Sequence, residues 1–135
     1  MPYLSQMSES ELQRMVCDFL RYSYPDTIFR SDFASGLHLT MGQAIVHKRL
    51  QSSRAFPDLQ ILEARGNYHS LFIEIKREGA TVYLKNGELS SNPHIQEQAE
   101  MLRRLNALGY YATFAIGFKE CRQTIIDYMN MRKTP

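Results

Sequence analysis

Two short runs hold the residues of this chain best suited to chemistry: Phe56-Pro57-Asp58 and Ile73-Glu74-Ile75-Lys76. Leu59 and Ile61 alternate with Asp58 and Gln60, and Leu71, Ile73 and Ile75 alternate with Phe72, Glu74 and Lys76. That is the two-residue period of strands with one apolar face. Arg65-Gly66-Asn67 is a turn signal, so the stretch predicts a hairpin over about 57–63 and 69–77. A turn centred on Gly66 sets Asp58 opposite Glu74, where cross-strand Cβ atoms stand roughly 4.5–5.5 Å apart. Lys76, two residues beyond Glu74, shares that face. Two hard carboxylates that leave room for water and phosphate suit Mg²⁺ or Mn²⁺. Such an ion acidifies a bound water and neutralises phosphate charge, and an ammonium beside it orients the water, so the set predicts phosphodiester hydrolysis. A solvated cross-strand charge cluster would use the same residues. The flanks weigh against it, because Leu71 to Lys76 is too apolar for an exposed edge and uncompensated buried charges are costly.

These groups need elements to hold them. A first helix begins near Ser8, with Leu12, Met15, Val16, Phe19 and Leu20 on one stripe, and Pro25 closes it. Thr27-Ile28-Phe29 starts a short strand, and Thr40 caps a second helix that runs to about Gln51. After the hairpin, residues 78–91 are polar and irregular, with a small second hairpin around Asn86-Gly87. A third helix runs from Pro93, at its first position, to Leu108, and Gly109 stops it. The apolar strand Tyr110 to Ile116 suits a buried central place in the sheet, joined to the Glu74 strand by a helical crossover. A closing helix covers about Lys119 to Met129, and the tail Arg132 to Pro135 is expected to fray. The order α-β-α-β-β-α-β-α predicts an α/β fold with a mixed sheet flanked by helices, as one domain with its core over about 8–128.

The first helix offers a third acid. Glu9 lies three residues before Leu12 and seven before Val16, on the buried stripe, whereas Glu11 points aside and has capping-box spacing from Ser8. Glu9 is therefore assigned to metal or water and Glu11 to the cap. The Ile75 carbonyl is a further candidate metal ligand, since backbone oxygens bind hard cations.

Composition narrows the class. The 135 residues are 22% charged and 44% hydrophobic, which fits one globular domain. No apolar run approaches a membrane span and no signal peptide opens the chain, so a cytoplasmic protein with no membrane partner is expected. Cys17 and Cys121 read as reduced thiols, and His38, His47, His69 and His94 lack paired metal-ligand spacing, so zinc is not expected. The net charge of +2 announces no partner, but Arg30, Lys48, Arg49 and Arg54 face only Asp32 in their segment and could neutralise phosphates. Candidate nucleic-acid contacts are Gln43, Lys48, Arg49, Arg54, Arg77, Tyr83 and Lys85. No helix carries base-reading Arg and Asn pairs, which favours recognition of shape over sequence.

Pro57-Asp58 and Glu74-Ile75-Lys76 resemble the two half-motifs of the PD-(D/E)xK nuclease superfamily. With Gln43-Ala44, Lys48 to Arg54, Phe56 to Leu59, Gly66 to His69, Leu71 to Lys76, and Glu97-Gln98 through Gly109-Tyr110, the string from about Ser8 to Tyr128 resembles its virus-type replication-repair branch, VRR-NUC. The resemblance implies a restriction-endonuclease-like three-layer fold and a glutamate at the start of the first helix. It also implies a pocket-lining glutamine at Gln98, with Gln96 as the alternative. Its further implications are a metal-dependent endonuclease acting on branched DNA such as Holliday junctions, 5′-phosphate products, a homodimer, and a place in phage-like recombination or repair. The alternatives are a catalytically silent nucleic-acid-binding module of the same fold, or a flap, RNA or restriction-type nuclease.

Overall fold

The computed structural model describes residues 7–32, 34 and 37–135. The elements are α1 (Glu9–Ser23), β1 (Phe29–Ser31), α2 (Met41–Arg49), β2 (Leu59–Ile61), β3 (Leu71–Lys76), α3 (Pro93–Ala107), β4 (Tyr111–Ile116) and α4 (Gly117–Met129), in the order the sequence predicts. The strands form one sheet, β1-β2-β3-β4, antiparallel except for the parallel pair β3 and β4.

Local chemistry starts and stops the helices. Ser8 Oγ accepts from the Glu11 N–H at the head of α1. Thr40 and Gln43 form a reciprocal capping box on α2. Asn92 caps α3 with Pro93 at its first position, and Gly109 follows its end at φ +97. The left-handed φ at Gly109 is what favours glycine at the crossover into β4; a Cβ there would stand 2.7 Å from the tip of the exposed His69 ring, which would have to turn aside.

The sheet separates two cores. On one face Leu59, Ile61, Leu71, Ile73 and Ile75 pack with Leu12, Val16 and Leu20 of α1 and with Cys121, Ile125, Tyr128 and Met129 of α4. On the other, Phe72, Ala112 and Phe114 pack with Ile95, Met101, Leu102 and Leu105 of α3 and with Val82 and Ala55. The three-layer α/β architecture follows: α1 and α4, the sheet, then α3. Among the described residues no helix is long and apolar enough to cross a membrane.

The β2–β3 register is the expected one, with Leu59 against Ile73 and Ile61 against Leu71. The turn is not centred on Gly66, however. Gly66 and Asn67 lie inside an Arg65–Tyr68 bridge, which is offset by one residue from the strand register. Three residues, 62–64, face two, 69–70, and this bulge absorbs the offset.

One expectation about the sheet is corrected. β4 is an edge strand, not a central one. Its apolar sequence reflects helices on both faces, which period and hydrophobicity cannot distinguish from strands on both sides. The Asn106 amide covers part of the open edge, accepting from Ala112 N–H at 3.0 Å and donating to Ala112 C=O at 2.9 Å. The tail, expected to fray, is hydrogen-bonded to the 65–68 turn. Gly66 N–H donates to Arg132 C=O at 2.8 Å, and Thr134 Oγ1 donates to Gly66 C=O at 2.9 Å. Arg65 anchors the same region through Met129 and Met131 carbonyls. The Asn86-Gly87 turn is present, with one Tyr83–Leu89 bridge rather than full strands. Unlike the other helices, α2 buries none of its side chains.

Candidate active site

Asp58 stands one residue before β2, so the register places it directly opposite Glu74. Its Oδ2 accepts from the Ile75 N–H at 2.9 Å, and its carbonyl accepts from Asp32 N–H at 2.8 Å and Ser31 Oγ at 3.0 Å. Glu74 and Lys76 follow on the same face of β3. Both are buried, 5% and 7% exposed, and Lys76 Nζ lies 3.9 Å from Glu74 Oε1. Gln98 of α3 reaches down to the same carboxylate, its Nε2 2.9 Å from Glu74 Oε1 and 3.2 Å from His94 Nε2. Glu9, in the first turn of α1, closes the group. These side chains line one polar cavity of about 190 Å³, with Gln13, Asp32, Arg54, Phe56 and His94 at its walls.

Burial first, and then the neighbouring Asp58 charge and hydrogen bond, push the Glu74 carboxyl up to about 10; Lys76 opposes the shift without overcoming it. In the metal-free protein Glu74 is therefore protonated at neutral pH and donates to Asp58. Two buried oxygens, Glu9 Oε2 and Gln98 Oε1, have no hydrogen-bond partner among the described residues. Buried acceptors left without a donor call for water or a cation.

The sequence assignments divide clearly. Asp58, Glu74, Lys76, Gln98 and Glu9 come together. Gln96 turns away and bonds the Ser90 carbonyl, and Glu11 is exposed in the α1 cap. Among the proposed nucleic-acid contacts, Arg54 holds Glu97 in a two-pronged ion pair at 3.0 Å at the cavity mouth. Arg77 follows β3 directly, Tyr83 and Lys85 lie in the Asn86-Gly87 turn region, and Lys48 and Arg49 end α2; all are exposed. The Gln43 carbonyl oxygen is committed to the α2 cap.

A solved structure described as a VRR_NUC domain protein matches 94% of this chain and 92% of its own, with 27% sequence identity and a TM-score of 0.64. Over nearly its whole length the chain is similar in sequence and fold to this VRR_NUC domain protein. No family model and no curated protein matches it.

Sequence reasoning missed Gln13 and Ser31. Gln13 sits one turn after Glu9, buried in α1. It donates to Ser31 Oγ and, at 2.9 Å, to the Asp32 carbonyl. Ser31 donates on to the Asp58 carbonyl, so the Glu9 helix is tied to the Asp58 strand. The available signal was a polar residue inside the apolar α1 stripe, four positions from Glu9. Among the described residues no three His, Cys, Asp or Glu side chains are grouped as a ready-made metal cage. Mg²⁺ does not need one, because it is commonly held by one or two carboxylates and keeps several waters. The opposed Asp58 and Glu74, beside two unsatisfied buried oxygens, fit that pattern.

Proposed function

We propose that this nuclease-family domain is a metal-dependent, structure-selective DNA endonuclease that cuts branched DNA such as four-way junctions. The observation that carries the reading is the meeting of Asp58, Glu74, Lys76 and Gln98 in one buried polar cavity. A lysine and two acids buried together are destabilising unless they serve a ligand or a reaction. Asp58 and Glu74 would hold Mg²⁺ or Mn²⁺ together with the Ile75 carbonyl, with Glu9 reaching the ion or its water. The bound ion would acidify a water and neutralise charge building on the phosphate.

The chain's own residues supply the rest. Gln98 fixes the Glu74 carboxylate without adding charge. The Ile75 N–H fixes Asp58. Lys76 orients the attacking water and offsets negative charge in the transition state. The chain would leave a 5′-phosphate on the cleaved strand. Lys48, Arg49, Arg77 and Lys85 are exposed and placed to meet backbone phosphates. Two matched nicks across a junction need two sites, which favours a homodimer. The exposed apolar side of α2, with Met41 82% and Ile45 55% exposed, supports that assembly.

The test is a panel of four-way junction, flap, continuous duplex and RNA, each with Mg²⁺, Mn²⁺ or EDTA. Cleavage of the junction above all others, abolished by EDTA and by Asp58→Ala, is the expected result. Metal-independent binding with no cleavage of any substrate would establish the silent-module alternative instead.

A further inference from the structure

The face of the sheet that carries Asp58 and Glu74 is unevenly covered. α3 closes it over β3 and β4, where Phe72, Ala112 and Phe114 are buried. Over β1 and β2 it opens into a trough of about 420 Å³, within the range of roughly 300–1,000 Å³ that holds small ligands. Arg30 and Gln60, cross-strand partners, form its floor, and Phe56, His47 of α2 and the residues just after that helix form its sides. Asp32 and Phe56 line both the trough and the catalytic cavity, so the two adjoin.

The lining is selective. Phe56 packs edge-on with Phe72 at 5.5 Å yet stays 39% exposed, so part of its ring is open. Arg30 is exposed and makes no side-chain hydrogen bond or ion pair among the described residues. The Asp32 carboxylate is already engaged: it accepts from Ala34 N–H at 3.0 Å and lies 3.6 Å from His47 Nε2. An open aromatic ring beside an unpaired guanidinium is the pairing that binds single-stranded nucleic acid, by stacking on the base and attracting the phosphate. A base embedded in a duplex cannot enter such a space; an unstacked one can.

We propose that this trough binds one unpaired nucleotide of the cleaved strand, next to the scissile phosphate, with its base on Phe56 and its phosphate on Arg30. The proposal rests on the nuclease reading above and gives it a physical cause for shape selectivity. A continuous duplex must break a pair to fill the trough, whereas a branch point or flap has already done so.

The experiment uses the full chain and a flapped or four-way DNA whose cut has been mapped. Abasic residues are placed one at a time beside the cut, and each DNA is cleaved by wild type and by Phe56→Leu. One abasic position should raise KM about tenfold in wild type, Phe56→Leu should raise it similarly on intact DNA, and the two together should add nothing. Arg30→Gln, which touches no core, should raise KM several-fold and leave kcat within about twofold. Multiplying effects, or indifference to every abasic position, overturn the subsite while leaving the nuclease reading in place.

A binding arm separates the two ideas. Asp58→Asn is mixed with DNA carrying 2-aminopurine at each unpaired position near the branch. A fluorescence change at one position, lost when Phe56→Leu is added, supports the subsite even if wild type cuts nothing, in which case only the nuclease reading falls. No change at any position overturns the subsite.

Discussion

Glu74 shows how a site can oppose the fold that holds it. Its carboxyl is held near 10 against an ordinary value of 4.5, chiefly by burial and then by Asp58. A raised folded-state value means that the native protein binds this proton more tightly than the unfolded chain does. The stabilisation is complete below about 4.5 and is lost as pH rises toward about 10. Stability of the metal-free protein should therefore fall on the order of a few kcal/mol across that window. Thermal melts of wild type and Glu74→Gln in EDTA check this. The variant should show a flatter pH profile and a higher Tm near pH 8, and should cut nothing. A Glu74→Gln profile as steep as wild type's would assign the slope to another group. Metal binding must expel the same proton, so calorimetry in buffers of different ionisation enthalpy should show proton release on adding Mn²⁺ at pH 7. An enthalpy independent of buffer would contradict metal capture by Glu74. Lys76→Met should keep the fold, because a protonated Glu74 does not need the ammonium, yet lose roughly a hundredfold or more in cleavage rate. Near-wild-type kcat in that variant would remove Lys76 from the mechanism.

Elements decide whether these residues meet, and here the sequence was legible unevenly. Asp58 and Glu74 were placed opposite one another by strand alternation together with a turn assumed to centre on Gly66, and that assumed centre was wrong. A one-residue bulge at 62–64 compensates, and it leaves no hydrophobic signature because those positions face solvent or the bend. Helix ends were readable at Ser8, Thr40, Pro93 and Gly109, since caps are local chemistry. The edge position of β4 was not readable, because its alternation reports burial by helices rather than neighbours in the sheet. Nor was the relay from Gln13 through Ser31 to the Asp58 carbonyl, whose members lie far apart in sequence. That relay predicts a graded phenotype. Gln13→Leu leaves the Asp32 carbonyl and Ser31 hydroxyl without their donor, a loss of about 1–3 kcal/mol in stability. It should also lower kcat more than it raises KM, because Glu9 and Asp58 lose their shared tie. A matching loss of stability with unchanged kcat would make Gln13 structural only.

At the scale of the whole molecule, α2 is the element the monomer does not explain. It is nine residues long, capped at Thr40 by a reciprocal box, and buries no side chain. Helices that short are marginal in water without packing, since nucleation consumes what few hydrogen bonds return. Met41 and Ile45 lie one turn apart on its outer side, while His47 and Leu50 border the trough beneath. A second copy meeting α2 through Met41 and Ile45 would bury that side and leave the trough facing DNA. The net charge of +2 is too small to keep two copies apart. Ile45→Glu tests this, because the site is exposed and the change disturbs no core contact of the monomer. Light scattering should show a wild-type dimer and an Ile45→Glu monomer with a similar fold by circular dichroism. The monomer should still nick a flap at a comparable rate but lose paired cuts in one junction, because each cut then needs a separate binding event. A variant that remains dimeric, or a monomer that still resolves junctions in one encounter, would separate α2 from assembly and require another reason for its exposed apolar face.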